Sequence, residues 1–255
     1  MLPTELIAPA NVPRSGVSVR KLLVTRKLPP NNLYETIGIL SRMSDDTFHF
    51  SYLDTYAQAE YFRELPGLRK VRGGVTSDRL FPFFAERVIS PERPDRATAL
   101  SYLNLEEPAE PFEVLERSGG SRLNDQLEVL PFPEEVSKGQ YAFTFFVHGI
   151  RYLDDTGYNA LEQLHSGDSL QVEREPSNPE SELALKVSHH ETPLGYVPHP
   201  LRNFINPAVA TDGYTLTVVQ RNSPNAGFHQ RLLVRLMFQA RSDEAMFSGV
   251  DLKEY

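Results

Sequence analysis

Alternation of apolar and polar residues predicts most of the strands in this chain. Residues 169–175 place Leu170 and Val172 on one side and polar residues on the other, as in a half-buried strand. Residues 183–187 continue the pattern, and residues 141–148 form an apolar, aromatic run long enough for one buried strand. The second half is therefore predicted to be a small β-rich unit.

The first half mixes strand and helix patterns. Residues 34–42 and 47–53 flank a short polar turn and predict a hairpin, with a further strand at 17–26. Asp54 is a suitable helix N-cap, and Pro82 is expected to distort the helix in which it lies. Helices are predicted at residues 54–65, 77–89, 95–105 and 111–119, and a closing strand at 127–132.

These patterns divide the chain into five parts. Two separate sets of apolar residues flank a Pro-rich stretch, which indicates two cores. An α+β domain is predicted at residues 17–133 and a mostly-β domain at 141–242, joined by a linker at 134–140. Residues 1–16 are expected to be an extended arm, and residues 243–255 an acidic tail.

Charge and composition narrow the function classes. The 255 residues carry a net charge of −8 and no cysteine, which excludes disulfides, thiolate nucleophiles and Cys-type zinc sites. The sequence lacks an apolar run long enough for a membrane helix and lacks a signal-peptide pattern, so a cytoplasmic protein without membrane contact is expected. Residues 138–241 hold nine Lys or Arg against ten Asp or Glu, unlike the basic body of a general nucleic-acid binder.

Candidate chemistry in the second half is limited. Six of the seven histidines lie there, so any DNA binding is expected to strengthen as pH falls through about 6.5. His189 and His190 point to opposite faces of a predicted strand and converge poorly with His199 on one zinc ion. Asp154 and Asp155 are expected in a solvated loop. Because the sequence has no Gly-rich phosphate loop, Ser-His-Asp order or kinase-type catalytic loop, we expect no enzymatic activity, metal or cofactor.

Four short motifs follow one another in the second half. They are residues 149–152 (Gly-Ile-Arg-Tyr), 167–170 (Gly-Asp-Ser-Leu), 174–179 (Arg-Glu-Pro-Ser-Asn-Pro) and 194–198 (Leu-Gly-Tyr-Val-Pro). In this order they resemble the HIRAN domain, a small β-barrel module found alone in bacteria and fused to DNA-remodelling and repair ATPases. The resemblance implies DNA binding, in one branch of the family at the 3′ end of a single strand.

The resemblance also implies where DNA would be contacted. Arg151 and Tyr152 match the family's Arg-Tyr pair and would hold a phosphate and stack a base; the alternative is an arginine whose stem covers the barrel end. Tyr196 would be a second stacking platform, or a half-buried tyrosine. His199 and Arg202 would meet phosphates at a helix start, or be solvated surface.

This chain departs from the family at one pair of residues. In the branch that binds DNA ends an aromatic-acidic pair follows Asn-Pro, whereas this sequence has Glu180 and Ser181. A stacking ring is thereby replaced by a carboxylate beside the expected phosphate path. Arg174, shortly before this pair, is a further DNA-binding candidate, and pairing with Glu175 or Asp168 is its alternative role.

Three motifs follow one another in the first half. They are the hairpin at residues 34–52, a Thr-Ser-Asp and Phe-Phe pattern at 75–84, and Pro-Phe-Glu-Val-Leu at 111–115. They are similar to the N-terminal subdomain of HipA-type toxin kinases, although no kinase core follows and residues 88–92 depart from the family's turn. The similarity implies that this half restrains a separate HipA-like kinase. The candidate contact surface is a local basic cluster: Arg69, Lys70, Arg72 and Arg79.

The leading hypothesis is a non-catalytic binding protein of a bacterial toxin–antitoxin or defence locus. Its first domain would restrain a HipA-like serine/threonine kinase, alongside a helix-turn-helix DNA-binding protein of the same locus, and its second would bind single-stranded DNA or DNA ends. Two alternatives stay open. One is a DNA-binding accessory factor without a kinase partner, and the other is a HIRAN module repurposed for protein–protein interaction.

Overall fold

The structure, a computed structural model, describes residues 19–122, 126–210, 213–240 and 251–255. The predicted arm at 1–16 and most of the predicted acidic tail lie outside these ranges. Within the described ranges, no helix is long and apolar enough to cross a bilayer. The same ranges hold no group of three or more His, Asp or Glu side chains placed to share a metal ion.

A five-stranded antiparallel sheet organises the first half. Asp45 Oδ1 accepts hydrogen bonds from the backbone N and the hydroxyl of Thr47 (3.1 and 2.7 Å), which holds the turn of the predicted hairpin and confirms it. One apolar core joins the sheet to Phe84 and Phe112. The strands are β1 (Arg20–Leu28), β2 (Leu33–Arg42), β3 (Phe48–Tyr52), β4 (Val75–Ser77) and β5 (Leu127–Pro131), in the order β4-β3-β2-β1-β5.

Four short helices border this sheet. The helix expected from Pro111 is confirmed, and Gly119 ends it in the left-handed conformation (φ 73°). Two details are wrong: Pro82 begins its helix instead of distorting a longer one, and Asp54 lies within the first turn, where its carboxylate accepts from Gln58 (2.7 Å). Because the helices are short, more residues of this half lie in strands than in helices. The helices are α1 (Asp54–Ala57), α2 (Pro82–Ala85), α3 (Arg96–Tyr102) and α4 (Pro111–Ser118).

The second half is mostly β, as predicted, and forms a small barrel. Its strands are β6 (Glu134–Ser137), β7 (Gln140–Phe146), β8 (Ser169–Arg174), β9 (Leu185–His189), β10 (Thr192–Tyr196), β11 (Tyr214–Arg221) and β12 (Leu232–Gln239), in the order β10-β9-β8-β11-β12-β7-β6. The sheet curls until β10 meets the segment after β7. There His148 and Tyr196 exchange two backbone hydrogen bonds of 2.9 Å, which close the barrel. Leu170 and Val172 of β8 point into its core.

Two helices and three single 3₁₀ turns connect these strands. The expectation of a solvated loop at Asp154 is wrong, because its carboxylate accepts from Gly157 N (2.8 Å) and caps the following helix. Leu183 is exposed and lies before β9, so that strand begins two residues later than expected. The helices are α5 (Asp155–Gln163) and α6 (Arg202–Val209), and the turns are Ile150–Tyr152, His199–Leu201 and Phe228–Gln230.

Apolar side chains of the two halves pack against one another. Leu23 of β1 and Leu130 of β5 belong to the apolar core of the second half. Val114 of α4 lies in a smaller cluster with Phe146 and Leu233. The two cores expected from the sequence are thus in contact.

The predicted linker contributes to the second sheet. Residues 134–137 form β6, an edge strand that pairs with β7, where a free connection is expected. Side-chain amides also cross between the halves, from Gln220 to the backbone oxygen of Ser101 and from Asn222 to that of Tyr102, both at 2.7 Å. The division of the chain into two domains at this point stays a prediction.

Candidate nucleic-acid interface

Arg151 and Tyr152 form an exposed pair at the end of the barrel. Gly149 has a φ of 81°, which turns the chain sharply out of β7 and into the 3₁₀ turn that carries both residues. Tyr152 is 75% exposed, and the Arg151 guanidinium carbon lies 4.5 Å from its ring centroid. The guanidinium also donates to the Tyr152 hydroxyl. One spot therefore offers a ring face and a positive charge to a ligand.

This pair stands at the mouth of a cleft of ≈ 270 Å³ between the two halves. The first half supplies one wall from β5 and the end of α4, and the second half supplies the other from the turns at 150–152 and 228–230. Phe228 is 51% exposed and adds a second accessible ring. Among the lining residues are Lys27, Arg117, Phe228 and His229, none of which the sequence motifs identify.

A histidine of the second half and a carboxylate of the first half pair within this cleft. His148 Nε2 is 3.0 Å from Glu128 Oε1 of β5. Burial disfavours the charged imidazole, but the Glu128 carboxylate and its hydrogen bond outweigh this effect and raise the pKa of His148 above its ordinary value. The cleft thus holds a histidine whose protonated form is neutralised by the first half.

Tyr196 is anchored behind the Arg151–Tyr152 pair. A Cβ at position 149 would stand 3.1 Å from Tyr196 Cδ2, which is tighter than an ordinary contact, so glycine lets the ring lie close to this backbone without displacement. The Tyr196 hydroxyl donates to Glu175 Oε2 (2.9 Å), and Asn178 Nδ2 donates to the same oxygen (2.7 Å). These hydrogen bonds, that from Asn178 foremost, lower the pKa of Glu175. Tyr196 is half-buried and ties the loop after β8 to the barrel end.

That loop carries the residues in which this chain departs from the family. Asn178 Oδ1 accepts from the backbone N of Glu180 (3.0 Å) and of Ser181 (3.3 Å), so the Asn-Pro motif builds a tight turn. Glu180 is exposed. Arg174 is also exposed, and its guanidinium donates to the Asn206 backbone oxygen (3.3 Å) rather than joining the Arg151 site.

His199 and Arg202 lie between the two halves, away from solvent. His199 Nδ1 donates to the Tyr34 backbone oxygen of β2 (3.0 Å), and its side chain is 14% exposed. Arg202 is 8% exposed and donates to the His199 oxygen (3.0 Å). Burial and the Arg202 charge lower the pKa of His199 to about 4. Both the phosphate-binding role and the solvated-surface alternative require exposed side chains, whereas β2 covers these two.

The predicted partner-binding cluster is only partly free. Arg69, Arg72 and Arg79 are exposed, and Lys70 is half-buried with its ammonium bonded to the Ala57 oxygen. Lys70 and Arg72 also face the ring of Tyr255.

Part of the chain matches a known protein family. Residues 140–241 match the HIRAN domain family. This part of the chain is therefore a HIRAN domain. Among curated proteins, none matches the chain.

Two solved structures are similar to this part of the chain. A protein from Lactobacillus plantarum is 24% identical over 40% of this chain and 100% of its own, with a TM-score of 0.29. The HIRAN domain of human HLTF is 16% identical over 46% of this chain and 91% of its own, with a TM-score of 0.31. Nothing in these likenesses shows a HipA-type region in the first half, which stays a prediction.

Proposed function

We propose that this protein is a non-catalytic DNA-binding protein that takes the end of a single strand into the cleft at Arg151 and Tyr152. The exposed Arg–Tyr pair at the mouth of this cleft carries the proposal, and the HIRAN domain makes DNA the preferred ligand class. Tyr152 stacks a base, for which about 1–3 kcal/mol is typical, and Arg151 meets the adjoining phosphate. Because the cleft is small, it fits one terminal nucleotide rather than an extended strand.

Charge limits how strongly DNA is held. Residues 138–241 are nearly neutral, so affinity comes from a few close contacts rather than from long-range attraction. The dependence of the dissociation constant on salt should therefore be shallow, corresponding to roughly two or three phosphates. A steep dependence would instead point to a wider basic surface than the Arg151 site.

Replacing Arg151 and Tyr152 together with alanine should weaken binding of a labelled short single strand by at least about tenfold, because both the stacking ring and its adjoining charge are lost. Fluorescence anisotropy at low and moderate salt measures this, with a blunt duplex for comparison. The matched control replaces Arg93 and Tyr61, which are also exposed but lie in the first half outside the cleft residues.

The control variant should bind like the wild type. Equal losses in both variants would show non-specific attraction, and a wild type that fails to bind at low salt near pH 6 would leave protein docking as the function of the module. That outcome would favour the alternative of a HIRAN module repurposed for protein–protein interaction.

Glu180→Tyr should tighten single-strand binding by about fivefold. The change removes a repulsive carboxylate and adds a stacking ring in the loop that Glu175 ties to Tyr196. Glu182→Tyr makes the same chemical change two residues further along the same loop, at another exposed position, and serves as the control. Tightening in both variants would mean that any added aromatic residue suffices.

As a second candidate, we propose that the first half restrains a HipA-like kinase through the exposed basic residues Arg69, Arg72 and Arg79, with a helix-turn-helix protein as a further partner. The order of motifs in the first half favours this role, and the basic loop suits an acidic surface. A neighbouring gene for a kinase core without its own N-terminal subdomain would discriminate it from a DNA-binding accessory factor that acts alone.

A further inference from the structure

Residues 251–255, here called the C-terminal strand, run beside the end of β3, where Glu254 forms an isolated antiparallel bridge with Leu53. The backbone N of Asp54 donates to the Lys253 oxygen (2.7 Å), and the backbone N of Tyr255 donates to the Tyr52 oxygen (2.9 Å). β4 covers this edge of β3 only over its first three residues. The C-terminal strand therefore continues the sheet where β4 stops, which is the geometry of strand addition.

Two side chains of the C-terminal strand, Tyr255 and Leu252, pack against different parts of the protein. The Tyr255 ring lies against two cations, with Lys70 Nζ 4.8 Å and Arg72 Cζ 5.3 Å from its centroid. Gly73 N donates to the Tyr255 backbone oxygen (2.7 Å) and holds the Tyr255 backbone beside this basic loop. Three residues earlier, Leu252 packs against the apolar cores of both halves.

Further side-chain contacts add to this recognition. Glu254 Oε2 is 4.0 Å from His49 Nδ1, and Lys253 Nζ is 3.3 Å from Asp54 Oδ2. Backbone hydrogen bonds of this kind accept any extended segment, whereas the apolar, acidic and aromatic positions select one sequence pattern. The pattern is Leu-x-acidic-Tyr.

We propose that this edge of the first half is a peptide-binding site for a partner protein that presents an extended Leu-x-acidic-Tyr segment, and that the C-terminal strand fills it in cis. The partner binds by displacing this strand, which acts as a tethered competitor. Charge complementarity supports the assignment, because the loop at residues 69–72 is basic and the segment is acidic next to its tyrosine. The residues that contact the C-terminal strand do not line the DNA cleft, so this proposal does not depend on DNA binding.

Fluorescence anisotropy with a labelled Asp-Leu-Lys-Glu-Tyr peptide tests this proposal. The protein ending at residue 250 should bind the peptide at least about tenfold more tightly than the full chain, since a tethered competitor acts at millimolar effective concentration. In that shortened protein, replacing Lys70 and Arg72 with alanine should abolish binding. Replacing Arg69 and Arg79 removes equal charge from the same cluster and should leave binding intact.

A full-chain variant, Tyr255→Ala, protects the test against misfolding of the shortened protein. It keeps Leu252 and every backbone hydrogen bond of the C-terminal strand, so circular dichroism should show an unchanged fold while peptide binding increases. The proposal is overturned if neither the shortened protein nor Tyr255→Ala binds more peptide than the full chain. It is also overturned if the Arg69 and Arg79 control loses binding as completely as the Lys70 and Arg72 variant.

Discussion

Gly195→Ala is expected to destabilise the protein by roughly 3 kcal/mol or more, because it opens the barrel where β10 meets the end of β7. Gly195 has a φ of 135°, which side-chain-bearing residues rarely adopt. A Cβ at this position would lie 2.2 Å from the His148 oxygen and 2.7 Å from Val147 Cγ1. The backbone must move to relieve these overlaps, and the paired hydrogen bonds between His148 and Tyr196 are lost with it.

Urea unfolding followed by circular dichroism measures the change in the free energy of unfolding. Gly227→Ala is the matched control, because Gly227 has a φ of −58° and a Cβ there would meet no atom within 4 Å. It should change stability by less than about 1 kcal/mol. If Gly195→Ala is as stable as Gly227→Ala, the barrel does not depend on this closure.

Lowering the pH from 6.5 towards 4 is expected to destabilise the protein by about 2 kcal/mol through His199, after allowing for its partial exposure. Burial and the Arg202 charge lower the pKa of His199 to about 4, and the Glu35 carboxylate 3.8 Å from Nδ1 does not offset them. The unfolded chain takes up this proton near pH 6.5, so it binds more protons than the folded chain throughout this window. The stability that the neutral ring contributes above pH 6.5 is therefore lost as pH falls.

His199→Asn should remove this part of the pH dependence, since an amide keeps a donor for the Tyr34 oxygen and cannot titrate. Unfolding free energies measured at several pH values between 4 and 7 give the comparison. His165→Asn is the control, because the His165 side chain is 84% exposed. Parallel pH profiles for the wild type and His199→Asn would show that other groups cause the acid sensitivity.

Short-range patterns predict the elements whose partners are close in sequence. The alternation in β8, the turn between β2 and β3, and the Pro111 and Gly119 boundaries of α4 are all confirmed, since each depends on neighbouring residues. Asp154 shows the limit of such patterns: two adjacent carboxylates predict a solvated loop, although Asp154 caps a helix. An N-cap signal was present, but the helix after it is only weakly apolar.

The candidate site was predicted only in part because its remainder depends on the packing of the two halves. Arg151 and Tyr152 are exposed, as their motif implies. His199 is covered by Tyr34, which lies 165 residues away along the chain, and no local pattern reports such a contact. Phe228 lines the cleft from a turn that carries no recognisable motif. The sequence signals it only as an aromatic residue that follows a Pro-Asn-Ala-Gly stretch.

The apolar contacts between the halves link their stabilities. Leu23 and Leu130 complete a core that belongs mainly to the other sheet, and Phe146 and Leu233 pack with Val114 of α4. Unfolding either half would expose apolar surface of the other, so these contacts couple the stabilities of the two halves. Damage to the barrel closure is consequently transmitted to the five-stranded sheet, and a ligand that stabilises the cleft stabilises both halves together.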